Sequence, residues 1–165
     1  MTRLLRRSLS ATLLVVTLAV GAAACIPAGA PTPGGGAPGG WAQSMLNQVN
    51  AQRAAVGLPG LVWCSSLGRA AQSQSEYQAA IQTMTHDGGG GLAVRVQNAG
   101  YNGWYNLAEN VAAGADTTEA AMGMWMNSAG HRANILSPTF THFGAGGAAS
   151  NYRYWTQDFG RGGSC

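Results

Sequence analysis

The sequence predicts an α+β domain behind an export segment and a tether, and three observations predict it. Apolar residues recur at helical spacing through the stretches after Trp41. Near the C-terminus this gives way to alternation rich in aromatics, in "FGAGGAA" and "YRYWTQDFG". Every Trp, Tyr and Phe lies at or after Trp41, so a core can be drawn only from residues 41–165. Helices first and strands later is the order expected of α+β layering.

The N-terminus reads as a targeting segment. Arg3, Arg6 and Arg7 precede an apolar run from Ala11 to Ala24, then small residues and Cys25, the three regions of a secretory signal peptide over 1–24. The run is shorter than the roughly 20 residues a spanning helix needs. "GAAAC" resembles the lipobox of bacterial lipoproteins, in which the cysteine is acylated and becomes the new N-terminus; Ala22 departs from the usual leucine. Acylation of Cys25 would leave Cys64 and Cys165 to form one disulfide, whereas ordinary cleavage nearby would leave Cys25 free or remove it. Residues 25–40 form the linker, and 26–40 hold four prolines and six glycines, too many for a packed element. As a coil that stretch would span about 20 Å. Composition fits a membrane spacer and a plain unstructured N-terminus equally.

Charge excludes one class of function. The chain has nine arginines, no lysine and six acids, a formal net of +3, but three of the arginines lie in the signal segment. The chain beyond Cys25 is formally neutral, so the clustered basic face of a nucleic-acid binder is missing and no nucleic-acid partner is expected. Residues 41–165 show no repeat and no second change of composition, and are long enough to bury about two-thirds of their unfolded surface. They read as a single domain.

Within it, "WAQSMLNQVNAQRAAVG" predicts a helix burying Met45, Leu46, Val49 and Arg53, with Gly57 past its end. "SSLGRAAQSQSEYQAAIQTM" predicts a second, capped by Ser65 or Ser66, with Leu67, Ala70, Ala71, Tyr77 and Ile81 on its inner face. "THDGGGG" must be loop, and "LAVRVQNAG" predicts a short third helix. Asp116 and Glu119 have capping-box spacing at the start of "TTEAAMGMWMN", where Met122 and Trp125 read as core. The two C-terminal strands turn at "ASN".

The candidate chemistry rests on histidines and one acid. His86 in "MTHDGG" and His131 in "SAGHR" sit in loop-like, glycine-flanked settings, and His142 reads as an exposed strand start. Glu109 lies in the otherwise small and apolar "NLAENVAAG", where an unpaired buried charge would cost several kcal/mol. His86, Glu109 and His131 suit zinc, or acid–base work. Equally, the histidines could bond loop backbone while Glu109 pairs with an arginine such as Arg132. Asp87 is a candidate to orient His86, and Ser128 is either a helix cap or a cavity hydroxyl. No HExxH, paired CxxC, Walker loop or GxSxG occurs.

In order, "LNQVNAQRAAVGLPGLVW", "MTHDG", "NLAENVAAG", "MWMNSAGHRANILSPTFTHFGAG" and "YRYWTQDFG" resemble the CAP superfamily (cysteine-rich secretory proteins, antigen 5 and pathogenesis-related proteins), in its bacterial form. The resemblance covers residues 42–160. It implies a three-layer α-β-α sandwich around a central antiparallel sheet, with a cavity ringed by two histidines and two acids whose histidines can hold a divalent metal. His86, Glu109 and His131 fall on the first histidine, first acid and second histidine. The second acid stands three residues after a tryptophan; here the tryptophan is Trp125 and that position is Ser128, so the negative charge offered to an ion is reduced. Gly130 is expected to leave room for His131 to enter the cavity.

Three functional readings compete. The first is an exported, envelope-anchored binding module, whose cavity takes a weakly held divalent metal such as zinc and a small apolar or envelope-derived ligand. The second is a metal-dependent peptidase with Glu109 as catalytic base. The third is a structural envelope protein without catalysis.

Overall fold

The computed structural model describes residues 38–165; the predicted signal segment, Cys25 and most of the linker lie outside the described residues. In chain order the elements are α1 (Gly40–Ala54), β1 (Val62–Trp63), α2 (Ser65–Ile81), a 3-10 turn (Gly88–Gly90), α3 (Leu92–Asn98) and β2 (Asn106–Ala113). Then come α4 (Thr118–Asn127), α5 (Ala129–Ile135), β3 (His142–Ala149) and β4 (Arg153–Arg161). The sheet runs β1-β3-β4-β2. β4 is antiparallel to both β2 and β3, as expected, and the two-residue β1 adds a short parallel edge against β3.

Register sorts the side chains into two faces, because residues paired across a sheet point the same way. Gly144, Asp158 and Glu109 align on one face, with Gly146, Thr156 and Val111 one repeat further along. That face meets α2. A Cβ at Gly144 would overlap the backbone of Leu67 and Gly68, and one at Gly146 the backbone of Ala71 and Gln72. Glycine is what lets helix and strand backbones touch here. The opposite face carries Phe143, Phe159, Ala145 and Trp155, packed with Met45, Leu46 and Val49 of α1, Trp125 of α4 and Ile135 of α5. Sheet and helices thus form the three layers of an α-β-α sandwich. Trp125 is fully buried and donates its Nε1–H to Val111 O at 3.0 Å, so its polar atom is satisfied inside the core.

Helix α2 departs from expectation in an informative way. Tyr77 and Ile81 are 41% and 44% exposed, and the buried stripe is instead Gln74, Ser75 and Gln78. The reason lies in the sheet beneath: Thr156 accepts from Ser75 Oγ at 2.9 Å and from Gln78 Nε2 at 3.2 Å, so this layer is joined partly by hydrogen bonds. Cys64, not Ser65 or Ser66, is the N-cap, and it makes no side-chain cap. At α4 the predicted Asp116–Glu119 box is displaced by one residue. Thr117 caps the helix by accepting from the Ala120 N–H at 3.2 Å, while Glu119 bonds Thr118, Ser44 and Gln48.

The segment "NLAENVAAG", to which periodicity assigns no element, is β2 at the edge of the sheet. Cys64 and Cys165 form a disulfide with Cα atoms 4.9 Å apart, packed in the second core cluster with Leu67, Val96 and Tyr101. His142 does begin β3 but is half-buried rather than exposed, its Nδ1 within 2.9 Å of the Tyr101 hydroxyl. Burial pushes the Tyr101 phenol up to about 12 and holds the His142 imidazole below its ordinary value.

Candidate functional site

The site forms where the edge strand β2 presents one residue to each layer. Glu109 points to the α2/α3 side and Asn110 to the α5 side, since neighbours along a strand face opposite ways. Glu109 is buried, and both of its oxygens are engaged. The His86 Nδ1–H donates to Oε1 at 2.8 Å, and Arg95 Nη2 of α3 donates to Oε2. Arg95 Nη1 also bonds Gly88 O, at 2.6 Å, and His86 O, at 3.0 Å. One buried guanidinium therefore neutralises Glu109 and fastens the glycine loop that carries His86. The His86 side chain itself remains 56% exposed. With Nδ1 bound to the carboxylate, its Nε2 is the nitrogen left for a ligand.

His131 arrives from the other layer, as the third residue of α5. Asn110 Nδ2 donates to His131 O at 3.1 Å, and Asn134 Nδ2 donates to Asn110 Oδ1 at 2.9 Å, tying α5 to β2. The far end of α5 is held by Arg53, a fully buried arginine donating Nη1 to Ile135 O at 2.8 Å and to Ser137 O at 2.7 Å. Desolvation and the nearby His86 hold the His131 imidazole below the ordinary histidine value. The His86 ring and the α5 segment that carries His131 are thus fastened to neighbouring residues of β2 from opposite layers.

Not every expected partner is in place. Arg95, not Arg132, takes Glu109; the Arg132 guanidinium bonds Met126 O at 3.0 Å. Asp87 does not orient His86 and instead accepts from Thr85 Oγ1 at 3.1 Å. Ser128 joins two helices by its backbone: its N–H bonds Trp125 O at 3.1 Å and its carbonyl accepts from Arg132 N at 2.9 Å. It is the N-cap of α5 without a side-chain cap. A Cβ at Gly130 would meet open space, so steric room for His131 is not what glycine supplies there. Among the described residues no three His, Cys, Asp or Glu converge as a metal site. Glu109 is committed to its two donors, His86 and Arg95.

Arg95, Asn110 and Asp158 belong to this site, and the sequence reading misses all three. For Arg95 a signal exists: it interrupts the apolar run of "LAVRV", where a buried guanidinium needs an acid. Three clefts of about 320 to 370 Å³ are lined by none of His86, Glu109 and His131. One of them, lined by Arg69, Ala70, Ser73, Gly89, Asn98 and Ala99, shares Arg95 with the site.

The model of the CAP, cysteine-rich secretory protein, family matches residues 46–159. The Bacillus subtilis protein YkwD is 33% identical over 71% of this chain, which spans 46% of that relative. An extracellular protein with an SCP domain from Bacillus anthracis is similar in structure, with TM-score 0.65 and 31% identity, over 73% of this chain and 40% of that one. A cysteine-rich secretory protein from Staphylococcus aureus has TM-score 0.58 and 25% identity, over 71% of this chain and 37% of that one. This chain therefore spans less than half the length of these relatives.

Proposed function

The chain belongs to the cysteine-rich secretory protein (CAP) family, and we propose that it is an exported, envelope-tethered binding module rather than a hydrolase. One observation carries this reading: Glu109 has both oxygens occupied, by His86 and by buried Arg95. A general base must reach the water it deprotonates. A carboxylate clamped on both oxygens is a structural anchor for the imidazole instead, which removes the main support for the peptidase reading.

His86 and His131 are the residues that would hold a divalent ion. Two neutral imidazoles suit zinc but leave its other positions to water or ligand, so the ion is held weakly compared with a closed four-ligand site. Bound there, it would supply Lewis acidity toward an anionic group of an envelope-derived ligand. Zinc titration by calorimetry tests this. Wild type should bind, the His86→Ala/His131→Ala double variant should not, and Ser128→Glu should bind more tightly if it restores negative charge. Both imidazoles must be neutral to bind an ion, so occupancy should fall as the pH drops through about 6.5. Equal binding by wild type and the double variant would remove these residues from the site.

Anchoring is tested separately. Cys25→Ala should move the protein from the membrane fraction to the medium, because the acylation site is lost. Wild type already free in the medium with an unmodified N-terminus would refute lipidation. Among the described residues no helix is long and apolar enough to cross a membrane.

A further inference from the structure

One of the clefts lies where the N-terminal ends of α1 and α4 meet the start of β4, and it shares no residue with the histidine site. It measures about 370 Å³, and its walls include Trp41, Ser44, Asp116, Glu119, Arg153 and Trp155. That volume falls in the range of small-molecule sites, about 300 to 1,000 Å³.

The apolar wall is an indole pair. Trp155 is buried and donates its Nε1–H to Ala115 O at 2.8 Å, so its ring is fixed in the core. Trp41 packs against it edge to face, with ring centroids 5.2 Å apart, and stays 39% exposed. An indole braced in this way and left open to a cleft is a rigid contact surface with little side-chain entropy to lose on binding.

The polar wall is also built in advance. Ser44 Oγ, Gln48 Nε2 and Thr118 Oγ1 all donate to Glu119 Oε1, at 3.3, 2.9 and 3.0 Å. Side chains from two helices thus orient one surface carboxylate, and none of the three takes Oε2, which can accept from a ligand. Hydrogen bonds, first from its own N–H and next from Thr118, hold the Glu119 carboxyl below the ordinary glutamate value. Among the described residues neither Asp116 nor Arg153 forms an ion pair, although both line this cleft. The Arg153 guanidinium instead lies over the Trp155 ring, 5.4 Å from its centroid. Acceptors and a planar donor fork therefore flank the aromatic surface.

Charge and polarity select the occupant. Two carboxylates against one guanidinium leave the cleft net negative, which repels phosphates and polyanions. A wholly apolar ligand would strip water from Asp116 and Arg153 and return no hydrogen bond. A neutral ring with an apolar C–H face and a rim of hydroxyls satisfies both walls. Its face lies on the indole, while its hydroxyls donate to Asp116 and Glu119 and accept from Arg153. Those are the features of a hexopyranose. We propose that this cleft binds a neutral glycan, with a pyranose ring stacked on Trp41. The inference depends on neither the histidine site nor a metal.

Titration calorimetry of the exported chain against chitotriose, cellotriose and maltotriose, with a chelator present, tests this. Wild type should bind at least one of them with a Kd of about 1 mM or tighter. Trp41→Ala should abolish that binding. Asp116→Asn and Arg153→Ala should each weaken it about tenfold, the worth of one charge-assisted hydrogen bond. Tyr105→Ala, which removes an exposed aromatic outside the cleft, should bind as wild type does. Asp116 and Arg153 are exposed, so their variants decide the matter should Trp41→Ala not fold. Absence of binding to all three sugars at about 10 mM, where a Kd of about 1 mM would nearly saturate the site, would overturn the proposal. Binding left unchanged by Trp41→Ala would do the same. Binding of trilysine but of none of the sugars would make the cleft a basic-peptide site and equally overturn it.

Discussion

Replacing Arg95 with methionine should destabilise the protein by about 3 to 5 kcal/mol, the range for breaking a buried ion pair from one side. Methionine fills a similar volume, so the loss is electrostatic rather than a cavity. Glu109 would keep only its half-exposed histidine partner, and Asp158 would lose the cation that offsets its burial. The two carbonyl contacts that fasten the His86 loop would also go. Local opening should then appear as faster proteolysis between Thr83 and Gly91 before global unfolding. Arg95→Lys should recover only part of the loss, since a single ammonium cannot span the carboxylate and two carbonyls as the planar fork does. Arg95→Met/Glu109→Gln should be more stable than Arg95→Met alone, because removing both partners spares the stranded charge. Urea denaturation measures all four proteins; a loss under about 1 kcal/mol for Arg95→Met, the scale of an exposed pair, would show that the bridge contributes little.

The helices are largely legible because their burial follows local periodicity. Met45, Leu46, Val49 and Arg53 do line the inner side of α1. Where expectation and structure part, the deciding contact is distant in sequence. Tyr77 and Ile81 are expected inside because they are apolar, but α2 rests on glycines and a threonine of β3 and β4 that select Gln74, Ser75 and Gln78. β2 escapes recognition because Asn, Ala and Glu have little strand preference, and pairing with β4 forms the strand anyway. The candidate site divides along the same line. His86, Glu109 and His131 come from motif resemblance, and their setting is a product of the fold. Arg95 and Asp158 come together only through the packing of α3 and the β2–β4 register, which no local pattern encodes.

The second large effect belongs to the Cys64–Cys165 bond, which joins residues 101 apart in sequence. Loop-entropy models assign a closure of that length about 4.7 kcal/mol, through the freedom it removes from the unfolded chain. That is a large share of the roughly 5 to 15 kcal/mol by which domains are usually stable. The native side of the comparison also favours the bond. Cys64 is fully buried at the start of α2, and Cys165 packs on the cluster of Leu67, Val96 and Tyr101, so the final residues are held by packing as well as by the bond. Gly160 of β4 and Gly163 beyond it both lie against the Tyr101 ring, so the C-terminal segment is also held by packing. Cys64→Ser/Cys165→Ser should therefore keep the fold and lower the melting temperature by roughly 10 to 20 °C, the shift a loss of that size gives in a domain near this length. A buried serine hydroxyl at position 64 adds to the loss, so Cys64→Ala/Cys165→Ala is the cleaner comparison. Calorimetry of the alanine pair against wild type, with and without reductant, separates the covalent contribution from packing. Reductant should bring wild type down to the variant and leave the variant unmoved. Wild type that melts at the same temperature in both conditions, or thiols at 64 and 165 that alkylate without reduction, would show that the domain folds without this bond.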